Sequence, residues 1–248
     1  MRRFLLFLLL VLATSGIQSV RAQKIVEKSA NLAAGQRVYL NLRQASNIRI
    51  RAGASGKIIL KASVSINQNK LNEAFVLTTE QTGEELKLSS DLDKELLRNA
   101  QPGDCPNGGA YYGDTYYVKG KDDGAPDRNG NRHSPVCAVI EYDITVPADV
   151  ALRVSTLSGN IDIEGLSGAI EAKSLSGFVD VAWPDTKGAE LALKTITGEV
   201  YTDQDIAFST APRKNPIVGY QLRGTLKGSG PLVKLESISN DVFFRKRK

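Results

Sequence analysis

Leu157–Trp183 reads LSGNIDIEG, LSGAIEAKS, LSGFVDVAW: three consecutive nine-residue units, with Ser-Gly at 158–159, 167–168 and 176–177. One free position follows each Gly. Then come Ile161, Ile170 or Val179, an acidic residue (Asp162, Glu171, Asp180), and Ile163, Ala172 or Val181. Apolar–charged–apolar at period two is the pattern of a half-buried strand with its carboxylates on the outer face. Nine residues allow about five in a strand and the remainder in a turn.

The same beat recurs outward from this stretch. Ile196-Thr197-Gly198-Glu199-Val200-Tyr201 is a further copy 21 residues after Gly177, and Ile238-Ser239-Asn240-Asp241-Val242-Phe243 follows 42 residues after Gly198. Nearer the start, Ala45-Ser46-Asn47-Ile48-Arg49-Ile50 is followed by Ala54-Ser55-Gly56-Lys57-Ile58-Ile59. Where Gly is missing, Asn47 or Asn240 replaces it. Gly reaches positive φ freely and Asn is the next most tolerant residue. The turn set is therefore Asn47, Gly56, Gly159, Gly168, Gly177, Gly198 and Asn240, with positive φ expected at Gly159, Gly177, Gly198, Asn47 and Asn240. Stacked units of this kind bury a continuous core that none could bury alone. The fold class is all-β. A β-solenoid-like stack of short strands with Gly/Asn corners is the first architecture, and an antiparallel β-sandwich is the alternative, since Ser-Gly-X also turns hairpins.

Other segments fit an all-β chain. Strands are expected at 37–42, 58–64, 74–79, 85–89 and 139–146, the last stopped by Pro147. Asp91–Asn99 is the one helical segment, with Leu92, Leu96 and Leu97 on a face behind a Ser90 cap.

The N-terminus reads as an export signal: Arg2 and Arg3, the apolar run Phe4–Ala13, and Val20-Arg21-Ala22 as the peptidase site. A membrane anchor needs about 20 apolar residues, and this run breaks at Thr14-Ser15-Gly16. Cleavage after Ala22 leaves residues 23–248 as a single all-β domain, with no transmembrane span and no Cys near the cleavage point for a lipid anchor. The expected location is the periplasm, the cell surface or the extracellular space. Without Arg2, Arg3 and Arg21 the formal charge falls from +5 to +2, and Arg245–Lys248 carry four positive charges, so the body is near −2. Nucleic-acid binding needs a basic face and is excluded as an expectation. The basic tail reads as a solvated end with weak contact to an anionic surface.

Cys105 and Cys137 are the only cysteines. In an oxidising compartment an isolated pair reads as a disulfide; a zinc site is the rival, but it wants more ligands and His133 is the only histidine. Between them, within residues 99–135, the beat gives way to a Gly/Asp/Asn/Pro-rich insertion holding Tyr111, Tyr112, Tyr116 and Tyr117. Loops of this length are commonly functional. The insertion reads first as an Ω-type excursion pinned by Cys105 and Cys137, its tyrosines packing on the sheet; the alternative makes the tyrosines speculative binding residues, as a recognition surface.

Cofactors and metals are not expected. The acidic residues fall three after each Gly rather than two, against a calcium-binding nonapeptide roll. The polar run Asp127-Arg128-Asn129-Gly130-Asn131 lacks the bidentate Glu of a calcium loop, having Ala138 there.

Tyr142-Asp143-Ile144-Thr145-Val146-Pro147 and Leu152–Ile163, with Thr195–Gly198 and Ser237–Asn240, resemble the core of the bacterial putative adhesin domain family, exported proteins of unknown function built from strand, Ser/Thr-Gly, strand units. The resemblance extends over Val139–Lys248 and over Lys24–Ser89. It implies a β-solenoid-like fold and placement in the cell envelope, and it implies no catalytic residues, because the shared motif is a turn. The function expected is a non-enzymatic envelope or surface interaction module, binding an envelope protein or glycan. The alternatives are a polysaccharide-acting β-solenoid enzyme, which needs carboxylates converging in a groove, and an envelope sensor or scaffold. Ser-His-Asp chemistry is not expected, since no nucleophile-elbow sequence is present.

Overall fold

The computed structural model describes residues 22–53, 56–107, 109–110, 119–120, 135–209 and 220–247, with backbone alone at 109–110, 119–120 and 220. Strands β1 (Lys24–Asn31), β2 (Arg37–Leu42), β3 (Gln44–Gly53) and β4 (Lys57–Ile66) lead to a 3-10 turn at Asn72–Ala74. After it come β5 (Phe75–Gln81), β6 (Glu85–Leu92) and a single helical turn at Lys94–Leu97. The two-residue strands β7 (Gly109–Ala110) and β8 (Lys119–Gly120) pair with each other. Then follow β9 (Ala138–Pro147), β10 (Leu152–Thr156), β11 (Ser158–Glu164), β12 (Ile170–Ser174) and β13 (Val179–Trp183). Last are β14 (Ala189–Thr195), β15 (Val200–Thr202), β16 (Ile206–Phe208), β17 (Tyr220–Leu226), β18 (Leu232–Ser237) and β19 (Val242–Lys246).

These strands form two open, mixed sheets. The eight-stranded sheet runs β1-β4-β9-β3-β11-β13-β19-β15, and the nine-stranded sheet runs β16-β17-β14-β18-β12-β10-β2-β6-β5. Five strand pairs (β2/β3, β10/β11, β12/β13, β18/β19 and β14/β15) cross from the second sheet to the first in the same spatial order, and neighbours pair in parallel within both sheets. Each crossing is an arch, and the arches stack.

The arches explain the nine-residue beat. Leu152 pairs with Ile170 and Ile161 with Val179, an offset of 18 residues. Consecutive nine-residue units therefore lie on opposite sheets, and two of them make one arch. The spatial order also departs from chain order, because β18/β19 sits between β12/β13 and β14/β15. A two-layer, sandwich-like arrangement fits these sheets. It is not the all-antiparallel version: antiparallel pairing is confined to the flanks, in β1–β4–β9, β5–β6 and β14–β17–β16.

Period-two burial builds the core. In β4, Ile58, Leu60, Ala62, Val64 and Ile66 point inward, and in β10 Leu152 and Val154 do so. They join one buried cluster drawn from both sheets. A fully buried aliphatic or aromatic side chain of this kind contributes about 1.5–3 kcal/mol relative to exposure. Two polar atoms inside the core are satisfied. The Trp183 indole N–H donates to the Lys187 carbonyl at 3.1 Å, and the Tyr142 hydroxyl donates to Ser90 Oγ across the layers at 2.8 Å. Ser90 is thus a buried strand residue, not the expected helix cap. Asp93 caps the helix, accepting from the Glu95 and Leu96 N–H groups, and the helix spans only Lys94–Leu97.

Candidate functional site

The arch corners are held by a column of buried hydroxyls. Ser174 Oγ donates to the Gly159 carbonyl (2.9 Å) and accepts from the Gly177 N–H (2.8 Å). One arch further on, Ser237 Oγ donates to the Gly177 carbonyl (2.9 Å) and accepts from the Asn240 N–H (3.0 Å). Thr195 Oγ1 completes the column, donating to the Asn240 carbonyl (2.8 Å) and accepting from the Gly198 N–H (3.0 Å). Each hydroxyl sits three residues before its own Gly or Asn, which is the spacing of a local Ser/Thr turn. The sequence carries this signal, since Thr156, Ser174, Thr195 and Ser237 all precede the motif at that distance, outside the Ser-Gly and Asn corners that mark the beat. Removing one hydroxyl leaves a buried donor and acceptor unpaired, at about 1–3 kcal/mol. Ser237→Ala is expected to lower the melting temperature by about 2–12 °C on that basis, measured by thermal denaturation; an unchanged melt would mean the column is not structural.

The glycines of this column differ from expectation. Among the turn residues named from sequence, Gly159 (φ 101°) and Gly56 (φ 71°) have positive φ, whereas Gly168, Gly177, Gly198, Asn47 and Asn240 do not. What Gly168, Gly177 and Gly198 lack is space. A Cβ on each would lie closer than 3.0 Å to backbone carbonyl oxygens of the neighbouring chain segment, at Asp149 and Val150, at Gly159, and at Asn240 respectively. Asn47 is not a corner at all. It lies within β3 in register with Asn160, whose Nδ2 donates to Asn47 Oδ1 at 3.2 Å.

The carboxylates of the three units are likewise redistributed. Asp162 and Asp180 are neighbours on the outer face of the eight-stranded sheet, while Glu171 is on the nine-stranded sheet. No three-carboxylate row forms. Asp162 pairs with Arg51 at 2.7 Å, and Glu171 with Lys234 at 2.8 Å. Asp180 is largely buried and held by Arg245, with Arg245 Nε donating to Oδ1 at 2.9 Å. Burial pushes the Asp180 carboxyl above its usual range and the Asp162 charge adds to this, against the opposing Arg245 guanidinium. The backbone of the basic end is thus tied to the sheet through Arg247, while the side chains of Arg245, Lys246 and Arg247 remain exposed to solvent. Arg245 is neutralised, the Lys246 N–H donates to Asp203 Oδ1, and the Arg247 N–H donates to the Trp183 carbonyl.

Cys105 and Cys137 are joined in a disulfide, with Cα atoms 5.7 Å apart. A polar hub surrounds it. Asn67 is fully buried; its N–H donates to the Cys137 carbonyl at 2.9 Å, and its Oδ1 accepts from the Cys137 N–H at 3.1 Å. Asn67 Nδ2 donates to Asp104 Oδ2 and to the Pro135 carbonyl, both at 3.4 Å. Burial works to raise the Asp104 carboxyl, but hydrogen bonds from Lys70, the Gln101 N–H and Asn67 outweigh it and hold the group below its ordinary value. Tyr111, Tyr112, Tyr116, Tyr117 and His133, and residues 1–21, on which the export-signal expectation rests, lie outside the described residues. Among the described residues there is no cluster of three or more His, Cys, Asp or Glu side chains, and no helix long and apolar enough to cross a membrane.

No family model matches the chain, and no curated protein sequence matches it. Solved structures similar to it include a putative cell adhesion protein from Clostridium sporogenes, at 13% identity and a TM-score of 0.47, covering 90% of this chain and 100% of that one. A putative adhesin from Bacteroides fragilis is similar at 11% identity and a TM-score of 0.25, covering 91% of this chain and 98% of the other.

Proposed function

We propose that this chain is a non-enzymatic, exported module of the cell envelope or cell surface that binds an envelope glycan or protein, adhesin-like in its mode of action. The observation that carries the reading is that Asp162, Asp180 and Glu171 are each held by a cation, with Glu171 on the opposite sheet from the other two. Glycoside hydrolysis uses two carboxyl groups flanking one bond, within roughly 10 Å of each other, and one of them must be free to take or give a proton. Ion pairs spread over flat sheet faces instead make a rigid, solvated surface suited to contact. The disulfide supports an oxidising compartment, because isolated structural disulfides persist there and are rare in the cytosol.

The test is a binding and turnover assay of purified protein against peptidoglycan, soluble glycans and envelope extracts. Saturable retention with polymer length unchanged is the expected result. Reproducible shortening of any polymer would replace this reading with the polysaccharide-acting enzyme.

A further inference from the structure

The outer face of the nine-stranded sheet is not uniformly flat. Ser155, Asn41, Ser89 and Thr78 stand side by side on β10, β2, β6 and β5, in register, as a row of short polar side chains crossing the strands. Longer side chains rise on both sides. On one side Lys87 pairs with Glu80 at 3.1 Å, beside Tyr39, whose ring is covered by Arg153 at 4.7 Å. On the other, Arg43 pairs with Asp91 at 3.0 Å, next to half-exposed Val76. The result is a groove over β2, β6 and β5 with hydroxyl and amide groups on its floor and an ion pair in each wall.

One atom in that floor is incomplete. Ser89 Oγ is covered by protein and has no hydrogen-bond partner among the described residues. Buried hydroxyls are nearly always paired, and one left unpaired is costly. Ser89 lies on the outward side of β6, between inward Leu88 and Ser90, so its hydroxyl belongs to the groove and not to the core.

We propose that this groove is a binding site for a short neutral oligosaccharide. The proposal rests on the binding-module reading above and names its site and ligand class. Charge selects the class: Arg43 and Lys87 are matched by Asp91 and Glu80, so a polyanion gains no net attraction. An apolar ligand finds only Val76. A polyhydroxylated chain carries donors and acceptors in equal supply and no charge, which is what paired guanidinium–carboxylate and ammonium–carboxylate walls can satisfy together. Direction selects against a peptide strand, because added strands run along a sheet edge, whereas this row runs across the strands. The row spans three strand spacings, about 14 Å, which is long enough for several linked sugars.

The test uses the full chain and two variants, Ser89→Val and Thr78→Val. Both introduce β-branched side chains on an outward strand face, which strands accept, and the second serves if the first alters folding. Cellotetraose, maltotetraose, laminaritetraose and N,N′,N″,N‴-tetraacetylchitotetraose are titrated by calorimetry, with dextran sulfate as the anionic comparison. We expect saturable binding of at least one neutral tetrasaccharide, weakened about tenfold or more by either variant, with the melting temperature unchanged. Equal affinity in parent and variants would place the sugar elsewhere and overturn the groove while leaving the binding-module reading intact. Capture of envelope material without any neutral tetrasaccharide binding, or binding of dextran sulfate alone, would overturn the ligand class. Cleavage of a tetrasaccharide would overturn the non-enzymatic reading itself.

Discussion

Gly177→Val is expected to cost about 3–4 kcal/mol of stability and to lower the melting temperature by about 6–16 °C. Gly177 has ordinary φ, so the cost does not come from the backbone conformation. It comes from the stack. A Cβ at this position would fall inside van der Waals contact with the Gly159 carbonyl and the Asn160 nitrogen, both main-chain atoms of the adjacent arch. That carbonyl already accepts from Ser174 Oγ, so the arch cannot move away without breaking the hydroxyl column. Gly177→Ala, which keeps φ accessible and adds only the Cβ, should lose most of the same stability. The informative control is Gly56, where φ is 71° and nothing among the described residues lies within 4 Å of a Cβ. Gly56→Asn, whose side chain tolerates left-handed backbone, should stay within about 0.5 kcal/mol of the parent. If Gly177→Ala melted with the parent while Gly56→Asn did not, conformational freedom and not space would be the reason for the corner glycines.

That contrast shows where sequence and structure part. Strand character was legible because burial on one face imposes period two: 37–42 matches β2 residue for residue, and 58–64 and 139–146 lie inside β4 and β9. The Ser-Gly beat marked the corners correctly at Gly56 and Gly159 in conformation, and at Gly177 and Gly198 for a different reason. A glycine chosen for φ and one chosen for close approach are the same letter. Asn47 is not the corner its place in the beat predicts: Ser158–Asn160 on β11 faces Gln44–Asn47 on β3 across a bulge, which shifts the register by one residue. The alternation of successive units between two sheets was also hidden, since both faces of the arch use the same apolar–charged–apolar pattern. The groove was not legible at all: Asn41, Ser89 and Thr78 are far apart in the chain, and only the parallel β2–β6 pairing and the antiparallel β5–β6 pairing bring them together.

Asn67 is the clearest case of a residue invisible to pattern. Asn67, Gln68 and Asn69 are three successive residues at positive φ (47°, 54° and 69°), a run that L-residues adopt only when the surroundings fix it. The surroundings here are the disulfide, and this sets the expected effect of removing it. Cys137→Ser opens a loop of 32 residues' separation, which the chain-entropy account values at about 3–4 kcal/mol. It also uncouples the Cys137 backbone, which exchanges two hydrogen bonds with Asn67, from Cys105. The melting temperature should fall by about 6–16 °C, and reduction of the parent with a thiol should reproduce the fall. Asn67→Ala keeps the main-chain bond to the Cys137 carbonyl but removes the Oδ1 acceptor and the Nδ2 donor, and should cost about 1–3 kcal/mol through the buried groups it leaves unpaired. Because both changes act on one junction between the end of β4 and the start of β9, their costs should not add. The double variant Asn67→Ala/Cys137→Ser is expected to be more stable than the additive value by about 1 kcal/mol or more. Strict additivity, measured by chemical denaturation of the four proteins, would mean that the disulfide and the left-handed turn stabilise the sheet independently.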